Sequence, residues 1–404
     1  MKSQRIAIVG AGIGGLSAAL ALSKAGFSVT VFEQADLLQE VGAGIQLSPN
    51  STRILREWGV LEQAVRVGFL PKAVKISHWR TGKQIARFPL NHVESFQRSP
   101  YIHIHRADIH RILHQGFLET KGGEVIVGAK LQSIEYDPDG LLVRLTFARG
   151  GNSETHEFDV VIGADGIHSR VREYVEPASQ PRFTGNVAWR GLVRTSDLSP
   201  SCRPDPCANV LMGPAAHVVY YYVRGGDLVN YVAVIESDRW QEASWALKAN
   251  LDEMLGDFSG WNAQTRDILA ATDPESCYRW ALYDRDPFKT WLKDRCVLLG
   301  DAAHPMLPFL AQGAGMAIED ACTLAQCFER MPEDLIAGAE HYLMRRRERT
   351  AKVQLQARRN MKLYHIRNPL IQFGRHQYLN FLGTSQPEHF NKSLAWLYDY
   401  HVKI

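Results

Sequence analysis

A short apolar run, Arg5–Val9 (RIAIV), leads straight into Gly10-Ala11-Gly12-Ile13-Gly14-Gly15, and then into Leu16, Ala19, Leu20 and Leu22 at helical spacing. A second apolar run, Val29–Phe32, ends at Glu33. Glycines spaced G-x-G-x-x-G between a strand and a helix, with an acid closing the next strand, predict the first βαβ unit of a parallel sheet that binds a dinucleotide. Gly10 permits the tight turn, Gly12 lets the backbone approach a pyrophosphate, and Gly15 lets helix and strand pack closely. Gly14 sits in the same turn. Free N–H groups at the helix start favour negative charge, and Glu33 can accept hydrogen bonds from a ribose. The motif begins at residue 10, as if the whole protein were built on this cofactor.

The other end of the chain repeats the logic. In Arg295–Ala321 (RCVLLGDAAHPMLPFLAQGAGMAIEDA) a buried-strand pattern, Cys296–Leu299, stops at Gly300-Asp301. A proline-bearing loop follows, and Gln312–Gly315 opens a helix with Ile318, Ala321, Leu324, Ala325 and Phe328 on one face. A carboxylate just before a helix N-terminus suits a polar cofactor.

Between these ends, Gly42–Asn50 (GAGIQLSPN) reads as a glycine-rich loop, either a plain connection or a mobile loop beside a planar cofactor, with Asn50 or Ser51 capping the next helix. Tyr101–His105 alternates as a strand, and Arg106–Phe117 as a helix, so Arg106 stands at a junction where it is either a surface residue or a contact to a phosphate or ring edge. Phe158–Ala164 is a further buried strand, followed by Asp165-Gly166-Ile167-His168-Ser169-Arg170. The region after it changes character. Val187–Thr195 is strand-like, Val218–Val223 and Leu228–Ile235 form a hairpin about Arg224–Asp227, and helical patterns run from about Trp240 to Leu255. On a strand, His217 and Tyr221 share one face, open either to a cavity or to each other as a half-buried pair.

Composition excludes several classes. A chain of 404 residues with 45% hydrophobic and 22% charged residues is ordinary for a soluble protein of two domains, or of one large domain with an insertion. A net charge of +3 with dispersed basic residues argues against nucleic acid. The Arg345–Arg347 run reads as a solvated helix face. No apolar run is long enough to span a membrane, no leader segment is expected because a strand pattern starts almost at once, and six cysteines without metal spacing fit a reducing cytoplasm. His103, His105 and His110 lack metal-ligand spacing, so no metal is expected. The aromatic-rich tail, 363–404, is expected to pack on its own domain or on a sister subunit, which leaves a homodimer open.

GAGIGG with Glu33, GADGIHSRVR and GDAAHPMLPFLAQGAGMAIEDA, in this order, resemble the single-component FAD-dependent aromatic hydroxylases, the group A flavoprotein monooxygenases that include p-hydroxybenzoate hydroxylase. The resemblance covers about residues 4–350. WRGLV (Trp189–Val193), the His217…Tyr221 pair and the HPMLP loop are most similar to the salicylate hydroxylase and 3-hydroxybenzoate 6-hydroxylase branch, with 6-hydroxynicotinate 3-monooxygenase nearby.

The resemblance implies an α/β fold: a Rossmann-like FAD-binding domain in two parts (1–180 and 276–345), an inserted mixed β-sheet substrate domain (181–275) and a helical C-terminal segment (346–404). It implies FAD held by Gly10, Gly12, Gly14, Gly15, Glu33, Gly44, Arg106, Asp165, Asp301, Ala314 and Gly315, with NADH or NADPH as co-substrate. The implied reaction hydroxylates a phenolic aromatic acid with O2 through a flavin C4a-hydroperoxide. His217 and Tyr221 take the positions of the branch's catalytic, substrate-pocket pair, and Pro308, Phe309 and Arg190 complete the implied substrate contacts. The 3-hydroxybenzoate 6-hydroxylases carry glutamine where this chain has Pro308. Salicylate hydroxylases carry histidine where it has Phe309. An N-heteroaromatic acid of the 6-hydroxynicotinate type, and an oxidase or dehydrogenase on the same fold, are the alternatives.

Overall fold

A computed structural model describes residues 4–38, 43–90, 99–121, 123–137, 141–177, 180–237 and 246–402. The Arg5–Val9 strand lies inside a six-stranded sheet ordered 292–293, 296–298, 160–163, 5–9, 28–32, 123–126, parallel throughout except at its 292–293 edge. Strands covered on both faces need no polar side, which is why they read as unbroken apolar runs. The helices Ile13–Lys24, Arg106–Leu118 and Gly313–Arg330 pack together beside this sheet. On its other side lies a three-stranded antiparallel meander, 130–137, 142–149 and 152–158, where Phe32 stacks on Phe147 with ring centroids 4.1 Å apart.

The helix Gly313–Arg330 buries Ile318, Leu324 and Phe328 completely, each contributing about 1.5–3 kcal/mol. The same helix also buries Glu319 and Asp320, and two buried carboxylates demand a counter-charge. Arg346 supplies it from the long helix Leu335–Tyr364, with Nε 2.6 Å from Asp320 and Nη1 2.6 Å from Glu319. This corrects the reading of Arg345–Arg347 as a solvated face: Arg345 and Arg347 are exposed, but Arg346 is fully buried.

A second sheet has eight strands, ordered 246–248, 278–284, 182–194, 228–236, 216–223, 208–213, 73–78, 84–89. It recruits Ala73–His78, Gln84–Pro89 and Tyr278–Asp284 from outside the 181–275 stretch. One face packs Trp189, Tyr220 and Tyr231 against Met254, Phe258 and Trp261. The alternation in Ala216–Val223 therefore turns His217, Val219 and Tyr221 to the opposite face.

Two local readings change. Gly44–Leu47 is a strand, antiparallel to Ile102–His105, with Ser48 at the N-cap of the Pro49–Glu57 helix; Gly42 lies outside the described residues. Ala246–Lys248 is a strand and its helix begins only at Leu251; the stretch just before it is also outside. The tail folds back on its own chain: Phe390 stacks on Phe88 at 3.9 Å, and Arg349 donates to the Trp396 and Leu397 carbonyls. Among the described residues no helix is long and apolar enough to cross a membrane.

Candidate active site

The two sheets enclose one cavity of about 730 Å³. It begins at the glycine turn. Gly10, at φ +100°, is needed because a Cβ there would lie 2.6 Å from the Ala164 carbonyl oxygen. A Cβ on Gly15 would lie 1.9 Å from the Gly10 oxygen, so Gly15 sets helix packing and stands off the cavity wall. A Cβ on Gly12 would meet nothing within 4 Å; the backbone there is open to a ligand. Glu33 lines the cavity while accepting hydrogen bonds from the Ala11 and Ala35 N–H groups at 2.8 and 2.9 Å, which ties the acid to the turn it serves.

Asp301 and Ala314 line the far side, and Gly315 sits one step back against Gln312. Their loop is braced from behind. Asp320 accepts from the Gly300 N–H at 3.1 Å and pairs with His304. Asp165 lines the cavity, but its carboxylate also accepts from Ser169 Oγ and from the Arg170 and Val171 N–H groups, starting the helix Arg170–Val175. From that helix Arg172 reaches the Ala302 and Ala303 carbonyls at 2.8 and 3.2 Å. The GADG and GDAAH motifs are thus held together by one buried guanidinium.

At the other end His217, Val219, Tyr221 and Val232 form the floor, with Ile45, Met306, Leu307 and Pro308 as apolar walls. Gly44 is glycine because a Cβ would lie 2.9 Å from both Tyr221 and Asn230, and its N–H donates to Asn230 at 2.6 Å. Burial raises the Tyr221 phenol well above its ordinary range, so it stays protonated and can donate. Burial, and then the neighbouring His365, hold His217 far below the usual histidine range, so its ring is neutral and able to accept a proton. Arg106 and Arg190 both line the cavity, and burial and then Arg106 lower Arg190. Two cations in one cavity create a positive field that favours an anion.

Phe309 departs from expectation. It is not on the cavity wall; its ring packs behind, 5.0 Å from His217 and 5.7 Å from His365. Gln46, which lines the cavity and accepts from the Tyr101 hydroxyl at 2.7 Å, and His365, which meets His217, went unnoticed in the sequence. Strand alternation could have pointed to Gln46; nothing local points to His365. Among the described residues no cluster of His, Cys, Asp or Glu could hold a metal.

A glycine turn with open backbone at Gly12, continuous through one cavity with Asp301 and with the His217 and Tyr221 floor, fits a flavoprotein of the dinucleotide-binding type. Residues 3–334 match the family model described as FAD binding domain, and the chain belongs to that family, on the branch of single-component FAD-dependent aromatic hydroxylases. It is 39% identical over 395 residues to 3-amino-4-hydroxybenzoate 2-monooxygenase of Streptomyces cremeus, covering 98% of this chain and 94% of that one. It is 36% identical over 373 residues to 6-hydroxynicotinate 3-monooxygenase of Bordetella bronchiseptica, covering 92% and 94%. Among solved structures, Klebsiella pneumoniae HpxO complexed with FAD and uric acid superposes with a TM-score of 0.84 at 25% identity, covering 97% of this chain and 95% of that one.

Proposed function

We propose that this enzyme uses NAD(P)H, O2 and FAD to hydroxylate an aromatic acid whose ring hydroxyl stands para to its carboxylate. The observation that carries the reading is the shared cavity: a neutral histidine, a protonated tyrosine and two arginines at the ring end, continuous with the glycine turn. The named substrates of the two relatives, 3-amino-4-hydroxybenzoate and 6-hydroxynicotinate, both have this para arrangement.

When bound, FAD supplies the redox chemistry that activates O2. The chain's own residues do the rest. Gly12 and the helix start at Ile13 receive the pyrophosphate, Glu33 a ribose, and Asp301 a hydroxyl of the linking chain. Ala314 lines the cavity at the following helix start and offers its N–H to the ring end of the cofactor. His217 accepts the proton of the substrate hydroxyl, which makes the ring electron-rich, while Tyr221 donates to the ring oxygen. Arg190 takes the carboxylate, and Arg106, which lines the same cavity near Asp301, meets the cofactor. Val219, Val232, Leu307 and Pro308 exclude water. The reading extends to a cytoplasmic enzyme and to a homodimer; exposed Leu370, Ile371, Phe373, Tyr378 and Phe381 on the helix Pro369–Ser385 support the second of these.

The test is a panel of salicylate, 3-hydroxybenzoate, 4-hydroxybenzoate, 3-amino-4-hydroxybenzoate and 6-hydroxynicotinate, scored for NAD(P)H oxidation and for label from ¹⁸O2 in the product. The para-hydroxy acids are expected to be turned over best. A product without label would instead indicate an oxidase. Asp301→Ala is expected to lower FAD content well below one per chain, read from the flavin absorbance of purified protein; a stoichiometrically yellow variant contradicts the role of Asp301.

A further inference from the structure

His217 has a partner behind the cavity wall. Its Nδ1 lies 2.8 Å from Nε2 of His365, and Nδ1 of His365 lies 3.5 Å from Oε1 of Glu236. The two imidazoles are 3% and 4% exposed, while the Glu236 side chain is 33% exposed. The line therefore runs from the cavity floor to the protein surface. His365 is fixed at the end of the helix Leu335–Tyr364, where its N–H donates to the Met361 carbonyl and its own carbonyl accepts from the Ala215 N–H. Phe309 and Tyr364 close around the His217 ring, with centroids 5.0 and 5.2 Å away.

We propose that His365 and Glu236 are a proton outlet, passing the substrate's ring-hydroxyl proton from His217 to solvent. The proposal rests on the reading that His217 accepts that proton. In the resting tautomers His217 Nδ1–H donates to His365 Nε2, and His365 Nδ1–H, which makes no hydrogen bond of its own, faces Glu236 across 3.5 Å, leaving His217 Nε2 free to accept from the cavity. Transfer breaks the substrate O–H bond and forms Nε2–H on His217. The His217 Nδ1 proton then moves to His365 Nε2, the His365 Nδ1 proton passes to the Glu236 carboxylate once a small side-chain shift closes that gap to hydrogen-bond length, and Glu236 releases it to water. No redox partner is required and no charge remains on either ring. Run backwards, the same line returns a proton to the ring oxygen as product forms and restores the starting tautomers.

The surroundings explain why a proton cannot stay on the pair. A buried imidazolium without a full counter-charge is costly. Glu236 attracts a proton to His365, but burial and the guanidiniums of Arg367 and Arg375 oppose it. Arg367 also binds Glu236, with Nε at 3.2 Å, which steadies the carboxylate. On the cavity side stand Tyr221 and Arg190, one neutral and the other already cationic. Phe309 and Tyr364 give the pair no anion.

FAD-loaded enzyme without NAD(P)H is mixed with a para-hydroxy acid that the wild type turns over, in weak buffer containing a pH indicator. His365→Gln keeps a hydrogen-bonding side chain but cannot relay. It is expected to slow proton release about 10-fold or more and to displace the pH profile of kcat with little change in KM. Glu236→Gln, at the exposed end, is expected to do the same more weakly without disturbing the core. Imidazole added to His365→Ala is expected to restore part of the rate. Unchanged proton release and pH profile in both glutamine variants overturn the outlet, as does a slow His365→Gln paired with an unaffected Glu236→Gln and no imidazole rescue, which marks a purely structural role. A wild type that hydroxylates no phenolic acid overturns the functional reading itself.

Discussion

His217→Gln is expected to slow ring hydroxylation by roughly 10²- to 10⁴-fold, the usual worth of a positioned general base, while FAD remains bound in full. The separation is possible because the two functions sit on different sheets. The glycine turn and Asp301 belong to the six-stranded sheet and its loops, and His217 to the eight-stranded one. Single-turnover measurement of product at saturating substrate, beside the flavin spectrum, checks both halves, and wild-type turnover in the variant removes His217 from the mechanism.

A pH dependence accompanies it. His365 is held down to about 4, mainly by burial, and His217 is likewise depressed. Depressed histidines favour the native state fully above their unfolded value of about 6.5, and the advantage is lost as pH falls through the folded value. The thermal midpoint is therefore expected to hold steady at neutral pH and to fall between about 6.5 and about 4. The decline should be shallower in His365→Gln.

Arg346→Met is expected to cost about 3–5 kcal/mol of stability, the range for breaking a buried ion pair from one side. The guanidinium is fully buried against Glu319 and Asp320, and methionine fills its space but leaves both carboxylates short of charge. Arg349, which also meets Glu319 at 2.7 Å, does not reach Asp320. Burial alone would raise the Asp320 carboxyl; His304 and then Arg346 bring it down to about 2. That stabilisation is present above the ordinary carboxylate range and lost as pH falls through the folded value, so removing Arg346 should move the acid limb of the unfolding curve to higher pH. Because Asp320 anchors the Gly300 N–H, FAD occupancy should fall as well. Denaturant titration of the variant across pH checks this, and an unchanged midpoint contradicts it.

Much of the site was legible before the fold because its chemistry is local. Gly10, Gly12 and Glu33 are read from one βαβ unit, and Asp301 and Ala314 from one strand–loop–helix. His217 and Tyr221 share a face simply because strand side chains alternate. Three other features escaped. Arg346 looked like a solvated charge because its neighbours Arg345 and Arg347 are solvated; only the packing of two helices turns the middle arginine onto Glu319 and Asp320. Phe309 looked like a substrate contact because it stands where salicylate hydroxylases carry a histidine, yet the turn after Leu307 points its ring behind the wall. The eight-stranded sheet was read as a contiguous insertion, whereas three of its strands come from 73–89 and 278–284.

By itself the sequence determined the cofactor-binding turn, the family and the residues at each end of the cavity, because backbone conformation and strand periodicity act over a few residues. Only the tertiary structure decided what stands behind those residues. His365 comes to 2.8 Å from His217 across 148 positions of chain, and no local pattern encodes that meeting. It follows from where a long helix ends against a sheet, and there a pair of buried rings gains a line to solvent.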